Sequence, residues 1–205
     1  ASGLGSAAGH TVAGGDGEVE KAGGRGGGDS SPSSLCSSGE AAWLGSHMEM
    51  RDFFVYAALA TGPSLFRQAG APVAATHAPL SWRAPANAQD EWYRWATGRT
   101  GLPLVDAAMR ELASSGYCSN RVRQNAASLL TKDLGIDWRA GAEWFQFLLA
   151  DHDLAANWGN WRYFAGVGAD PKQRHFKTVS QAAKYDPRGE YVRQWCPELA
   201  ALEDV

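Results

Sequence analysis

The chain has 205 residues and a formal net charge of −3. That length favours one domain with a tail, and that charge neither requires nor excludes a nucleic-acid partner, because patches govern association more than totals. Cys36, Cys118 and Cys196 form an odd set without paired spacing, so no disulfide framework or zinc site follows, and a reducing, intracellular compartment is expected.

Residues 1–42 hold half of the 24 glycines, many serines and no Phe, Trp or Tyr. Such a segment cannot bury enough apolar surface to offset its ordering entropy, so it is expected to be a disordered tail ahead of a domain over 43–205. From Met48 to Leu59 apolar residues recur at helical spacing, with Met50, Phe53, Phe54 and Ala57 on one side. The apolar run inside it, Phe53 to Ala60, is too short to span a bilayer, and no signal-peptide pattern precedes it. A Gly/Pro-rich stretch over 62–79 interrupts. The next helix is expected from Pro103, a favourable first-turn residue, to about Gly116, a C-cap. Ser119, Asp137 and Asp153 are each placed to cap a further helix. Their apolar faces would be Val122, Ala126, Leu129 and Leu130; then Trp144, Phe145, Leu148 and Leu149; then Trp158, Trp161 and Phe164. Asp186-Pro187-Arg188-Gly189 suits a type I turn. No alternating strand or internal repeat stands out, so the expected fold class is all-α, with helices around one core.

Two features suit a purely structural bundle poorly. Arg121 and Arg123 fall in the first turn after Ser119, where the helix end already carries positive charge. Asp151 and Asp153 follow a helix C-terminus, where the potential is already negative. Each pair has a plain reading, as solvated charges and a cap. An anion at the first site, a hard cation on the two carboxylates, or an Arg–Asp pairing in a buried polar cluster are the alternatives. Nine tryptophans are present; they fill a core, stack on a base or cofactor, or transfer electrons.

The run Trp95-Ala96-Thr97-Gly98-Arg99-Thr100-Gly101-Leu102-Pro103-Leu104-Val105-Asp106-Ala107-Ala108-Met109-Arg110 resembles the W-x-x-G-x-T-G-x-P-x-V-D-A-x-M-R signature of photolyases and cryptochromes. Asn120-Arg121-Val122-Arg123 looks like the family's N-R-x-R segment, and the following Gln124-Asn125 is typical of its DASH branch. Asp137-Trp138-Arg139, Asn157-Trp158-Gly159-Asn160-Trp161, Ala165-Gly166-Val167-Gly168, Asp170-Pro171 and the Tyr185-to-Leu199 end continue the match. The likeness covers roughly 51–199 and is similar to the C-terminal part of the family's helical FAD-binding domain.

The resemblance implies a set of roles. Asn120, Arg123, Asp151, His152, Asp153 and Asn157 match positions that contact the flavin, with the Arg123 and Asp151 positions paired beside its ring. Arg51 matches another arginine of the cofactor region. Trp161, Trp138 and Trp82 match a tryptophan electron-transfer chain, Trp82 after an assumed insertion. Arg121, Gln124 and Tyr163 match positions near a DNA lesion. His47 and Met50 stand where the family has Glu and Trp facing that lesion. No metal is implied. The family's antenna domain, which holds a methenyltetrahydrofolate, and its Ser/Thr-rich phosphate loop have no counterpart here, so a fragment or truncated paralogue is expected.

The implied activity is light-driven carbon–carbon lyase chemistry, in which reduced FAD repairs cyclobutane pyrimidine dimers, preferably in single-stranded DNA, where extruding the lesion costs least. Two alternatives stay open: a blue-light receptor that repairs nothing, and a helical remnant that binds no flavin. A monomer without a membrane anchor is expected. Plastid, mitochondrion and nucleus remain undecided.

Overall fold

A computed structural model of the chain describes residues 38–69, 81–168 and 174–202. The disorder expected of residues 1–37, the Gly/Pro stretch over 70–79 and Asp170-Pro171 lie outside the described residues. The chain divides into two units, Ala1–Gly45 and Ser46–Val205, and the core lies in the second. No described helix is long and apolar enough to cross a membrane.

The described residues are helical, as expected, with α1 Ser38–Thr61, α2 Gln89–Ala96, α3 Pro103–Ser115, α4 Asn120–Ser128, α5 Trp138–Leu148, α6 Leu154–Ala165, α7 Thr178–Tyr185 and α8 Glu190–Trp195. The one extended contact among them is an isolated bridge between Arg83 and Ile136. Helix α1 begins at Ser38, inside the segment expected to be tail, because Glu40, Ala41 and Ala42 favour helix. Of its expected inward residues, Phe54 and Ala57 are half-buried, whereas Met50 and Phe53 are exposed. Phe54 sits over Gly159 of α6, where any Cβ would collide with its ring.

Helix α3 starts with Pro103 and ends at Gly116, whose φ of 70° makes a left-handed C-cap. Asp137 caps α5 by accepting from the Arg139 N–H at 3.0 Å. Asp153 caps α6 by accepting from the Ala156 N–H at 2.7 Å. Ser119 precedes α4 in extended conformation, but its hydroxyl makes no capping bond. The helix after Ser119, whose expected apolar face runs on to Leu130, changes after Ser128 into a π turn over Leu129–Asp133.

The family-like signature from Trp95 to Arg110 builds the α2–α3 junction. Asp106 accepts from the Thr100 N–H at 2.7 Å, the Thr100 hydroxyl at 2.6 Å and the Gly101 N–H at 2.9 Å. Gly98 has φ of 64°, and a Cβ there would lie 2.6 Å from the Asp106 carbonyl oxygen. Arg110 donates to the Gly98 carbonyl and pairs with Glu198, tying α3 to the segment after α8. Helices α5 and α6 pack on each other, and α3 packs on α4 and α8. Trp95, Met109, Leu112, Leu130, Trp138 and Phe145 are fully enclosed at the centre, each such side chain contributing about 1.5–3 kcal/mol.

Candidate functional site

Three short stretches converge on one cleft. Helix α4 supplies Asn120, Arg123 and Ala127, the end of α5 and its C-cap supply Phe145 and Leu149, and the α5–α6 turn with α6 supplies Asp151, Asp153, Ala156, Asn157, Asn160, Trp161 and Phe164. Helix caps aim these groups. Asp153 fixes the first turn of α6, which sets Asn157, Asn160 and Trp161 on one face at helical spacing.

The rim is polar. Arg123 Nη2 lies 3.0 Å from Asp151 Oδ2, and its Nε donates to the Cys118 carbonyl at 2.7 Å. The Arg–Asp pairing drawn from the sequence therefore exists, but it is not buried: the Arg123 side chain is 23% and the Asp151 side chain 53% exposed. The reason is local, since both groups sit at helix ends that open to solvent. Asn157 is buried and donates from Nδ2 to the Ala142 carbonyl at 2.9 Å. Burial pushes the neighbouring Cys118 thiol up to about 12, so it stays protonated and is no nucleophile. The floor is apolar, formed by Trp161, Phe145, Phe164, Leu149 and Ala127.

The cleft encloses about 90 Å³, well short of the roughly 300–1,000 Å³ of complete ligand pockets. It suits the edge of a flat aromatic group whose remainder lies outside it, with apolar walls for the ring and amide, guanidinium and carboxylate groups for its polar rim. Of the residues singled out from the sequence, Asn120, Arg123, Asp151, Asp153, Asn157 and Trp161 meet here. Arg51 does not line the cleft; it pairs with its neighbour Asp52 on the exposed face of α1, 2.7 Å away. His152 follows Asp151 without lining the cleft, and its Nδ1 is buried without a partner. His47 and Met50 are exposed on α1. Arg121 donates to Gln124 at 3.1 Å and lies 4.4 Å over the Tyr185 ring, and Arg174 lies over Tyr163. Among the described residues no group of three His, Cys, Asp or Glu is placed to hold a metal.

Sequence reading missed the apolar floor and Asn160. The signal for Asn160 was present, three residues after Asn157 and so on the same helical face. It also missed Trp95 as a neighbour of Trp161, with ring centroids 6.1 Å apart.

Residues 43–205 match the family described as the FAD binding domain of DNA photolyase. The chain is 49% identical over 162 residues to a cryptochrome DASH of Danio rerio, covering 78% of this chain and 30% of that protein. Among solved structures, a cryptochrome of Synechocystis sp. PCC6803 superposes with a TM-score of 0.75 at 43% identity, covering 83% of this chain and 34% of the other. An archaeal photolyase of Sulfolobus tokodaii, solved with two FAD molecules, gives 0.68 at 34% identity over 78% of this chain and 36% of the other. The chain thus spans about a third of the length of the proteins it matches.

Proposed function

The chain belongs to the photolyase/cryptochrome family, and from that membership we propose that its cleft holds the ring edge of FAD in a light-driven flavoprotein of the cryptochrome DASH type. The observation that carries this reading is the convergence of Asn120, Arg123, Asp151, Asp153, Asn157 and Trp161 on one apolar-floored cleft. Bound FAD would supply light absorption and one-electron transfer. The protein's own groups would orient it. Arg123, fixed by Asp151 and the Cys118 carbonyl, puts positive charge on the rim, where negative charge on a ring edge is stabilised. Asn157, anchored through Nδ2, keeps its amide oxygen as an acceptor for a protonated ring nitrogen. Trp161 stands at the apolar wall as an electron donor, with Trp138 and Trp82 as its relay.

The substrate we infer is a pyrimidine dimer in single-stranded DNA. Arg121, which bonds Gln124, lies over Tyr185, and Arg174 lies over Tyr163; each pair combines a cation with an aromatic ring, as single-strand binding requires. A blue-light receptor without repair is the second reading. It is favoured by His47 and Met50, which stand where the family has a Glu and a Trp facing the lesion.

The test is retention of flavin. The cleft's small volume predicts that this chain, mixed with FAD and desalted, keeps only a weak blue absorbance; tight stoichiometric FAD would overturn that. In a full-length relative carrying this segment, Asp151→Ala should leave Arg123 unpaired and lower the retained absorbance. Unchanged retention would remove the assignment of this pair.

A further inference from the structure

Trp161 lines the cleft and is 3% exposed. Its ring contacts among the described residues are Phe145 and Trp95. Trp95 of α2 stacks on Trp92 with centroids 5.3 Å apart and planes at 29°. Trp92 meets Trp144 of α5 edge-on at 6.2 Å, and Trp144 stacks on Phe147, a residue 79% exposed. Four indoles thus run in unbroken contact from the cleft to the surface, every step within the range of paired aromatic rings. Packing alone explains this row poorly at its outer end. The Trp144 Nε1 is buried and has no acceptor, whereas a buried indole N–H ordinarily finds one. A phenyl ring would fill the position without that orphan.

We propose that Trp161, Trp95, Trp92 and Trp144 form a route that carries single electrons from the surface to the cleft. A one-electron oxidant in the cleft takes an electron from Trp161. Trp95 refills Trp161, Trp92 refills Trp95, and Trp144 refills Trp92, so the oxidised site ends on Trp144. There a soluble thiolate gives up one electron and becomes a thiyl radical, and two such radicals couple to a disulfide. No bond of the four indoles forms or breaks. The inference rests on the proposed flavin reading only for its natural oxidant, the light-excited oxidised isoalloxazine. The route shares only Trp161 with the Trp138 and Trp82 series: Trp138 meets Trp158 at 5.7 Å and Trp82 donates to the Thr131 carbonyl.

The test replaces flavin by an attached oxidant, so a failure to bind FAD, read separately from blue absorbance, does not touch it. Cys36→Ser and Asn160→Cys are combined, Cys118 and Cys196 being buried, and the rim thiol is labelled with a ruthenium(II) polypyridyl. A flash with a cobalt(III) ammine as irreversible quencher leaves ruthenium(III) at the cleft. Mass spectrometry should then find oxidised Trp144, and transient absorption should show a long-lived tryptophan radical. Trp92→Phe should abolish Trp144 oxidation and shorten the radical's life, while Trp195→Phe, on α8 and outside both tryptophan series, should leave both unchanged. Should Trp92→Phe unfold the chain, Trp144→Phe, which loses no hydrogen bond, should still shorten the radical's life. Undiminished Trp144 oxidation in Trp92→Phe, an unchanged lifetime in Trp144→Phe, or loss of Trp144 oxidation in Trp195→Phe would overturn the route.

Discussion

From Met48 to Leu59, helix α1 leaves Met48, Met50, Phe53, Tyr56 and Leu59 in solvent, whereas α6 buries Trp158, Trp161, Phe164 and Ala165. Both segments are rich in large apolar residues, so hydrophobic content does not separate them. Fit does. Gly141 of α5 leaves room for the Trp161 ring, whose Cη2 would lie 2.3 Å from any Cβ there. Helix α1 has one such contact, Phe54 on Gly159. The site follows the same division. Asn120 and Arg123 of α4 and Asn157 and Trp161 of α6 meet in the cleft, while Arg51, His47 and Met50 on α1 stay outside it.

The most direct way to break this contrast is to truncate one apolar residue in each region. Trp95 is fully buried and donates to the Ala126 carbonyl at 3.0 Å. Trp95→Ala should cost about 3–5 kcal/mol in urea unfolding. Phe53→Ala on α1 should stay within about 0.5 kcal/mol. Equal losses would mean that α1 is as much a part of the core as α6.

Adding a methyl group sharpens the contrast. Gly141→Ala places a Cβ against Trp161 and Leu130, both enclosed and unable to yield, and should cost about 1–3 kcal/mol. Gly159→Ala meets Phe54 first, half-buried on α1, whose ring can swing away. Its thermal midpoint should fall less than that of Gly141→Ala. The reverse order would show that α1 is clamped at Phe54.

Acid should act on the core side of the division. Asp137 is buried, which alone would raise its pKa, but bonds from the Arg139 side chain and backbone N–H and from Gln68 outweigh this and hold the carboxyl below its usual value. A carboxylate held low in the folded state stabilises it above the unfolded pKa, near 4, and that stabilisation is lost as pH falls through the folded value. Stability should therefore decline below about pH 4, and Asp137→Asn should flatten part of that decline while costing about 1–2 kcal/mol at neutral pH. An unaltered acid limb would remove Asp137 from its cause.

The division also marks how far the sequence could be read. Helix type, the α3 boundaries and the Asp137 and Asp153 caps were legible because each rests on residues close in sequence. Helices α2, α7 and α8 were not, since at 8, 8 and 6 residues they are too short to hold without tertiary contacts. The Trp95-to-Arg110 signature was legible as a family mark but not as what it does, which is to fold the α2–α3 junction around Asp106. In the cleft, the polar rim was carried by motif. The apolar floor was invisible because Ala127, Phe145 and Phe164 come from three helices whose packing no local pattern records.

The smallest expected effect tests the caps themselves. Ser119, Asp137 and Asp153 all have the residue type of an N-cap, and from sequence the three are equivalent. The structure separates them, because both carboxylates accept a backbone N–H while the Ser119 hydroxyl does not. What holds the start of α4 is instead Arg123, whose Nε donates to the Cys118 carbonyl just before the helix and whose Nη2 reaches Asp151. That brace also explains how two arginines can occupy a helix N-terminus, where cations are disfavoured: one is neutralised by Asp151 and the other, Arg121, lies over Tyr185. Asp153→Ala should therefore cost about 1 kcal/mol, and Ser119→Ala should change the unfolding midpoint by less than about 0.5 kcal/mol of stability. If Ser119→Ala cost as much as Asp153→Ala, the hydroxyl would be capping α4 after all, and the Arg123 brace would not be what fixes that end of the cleft.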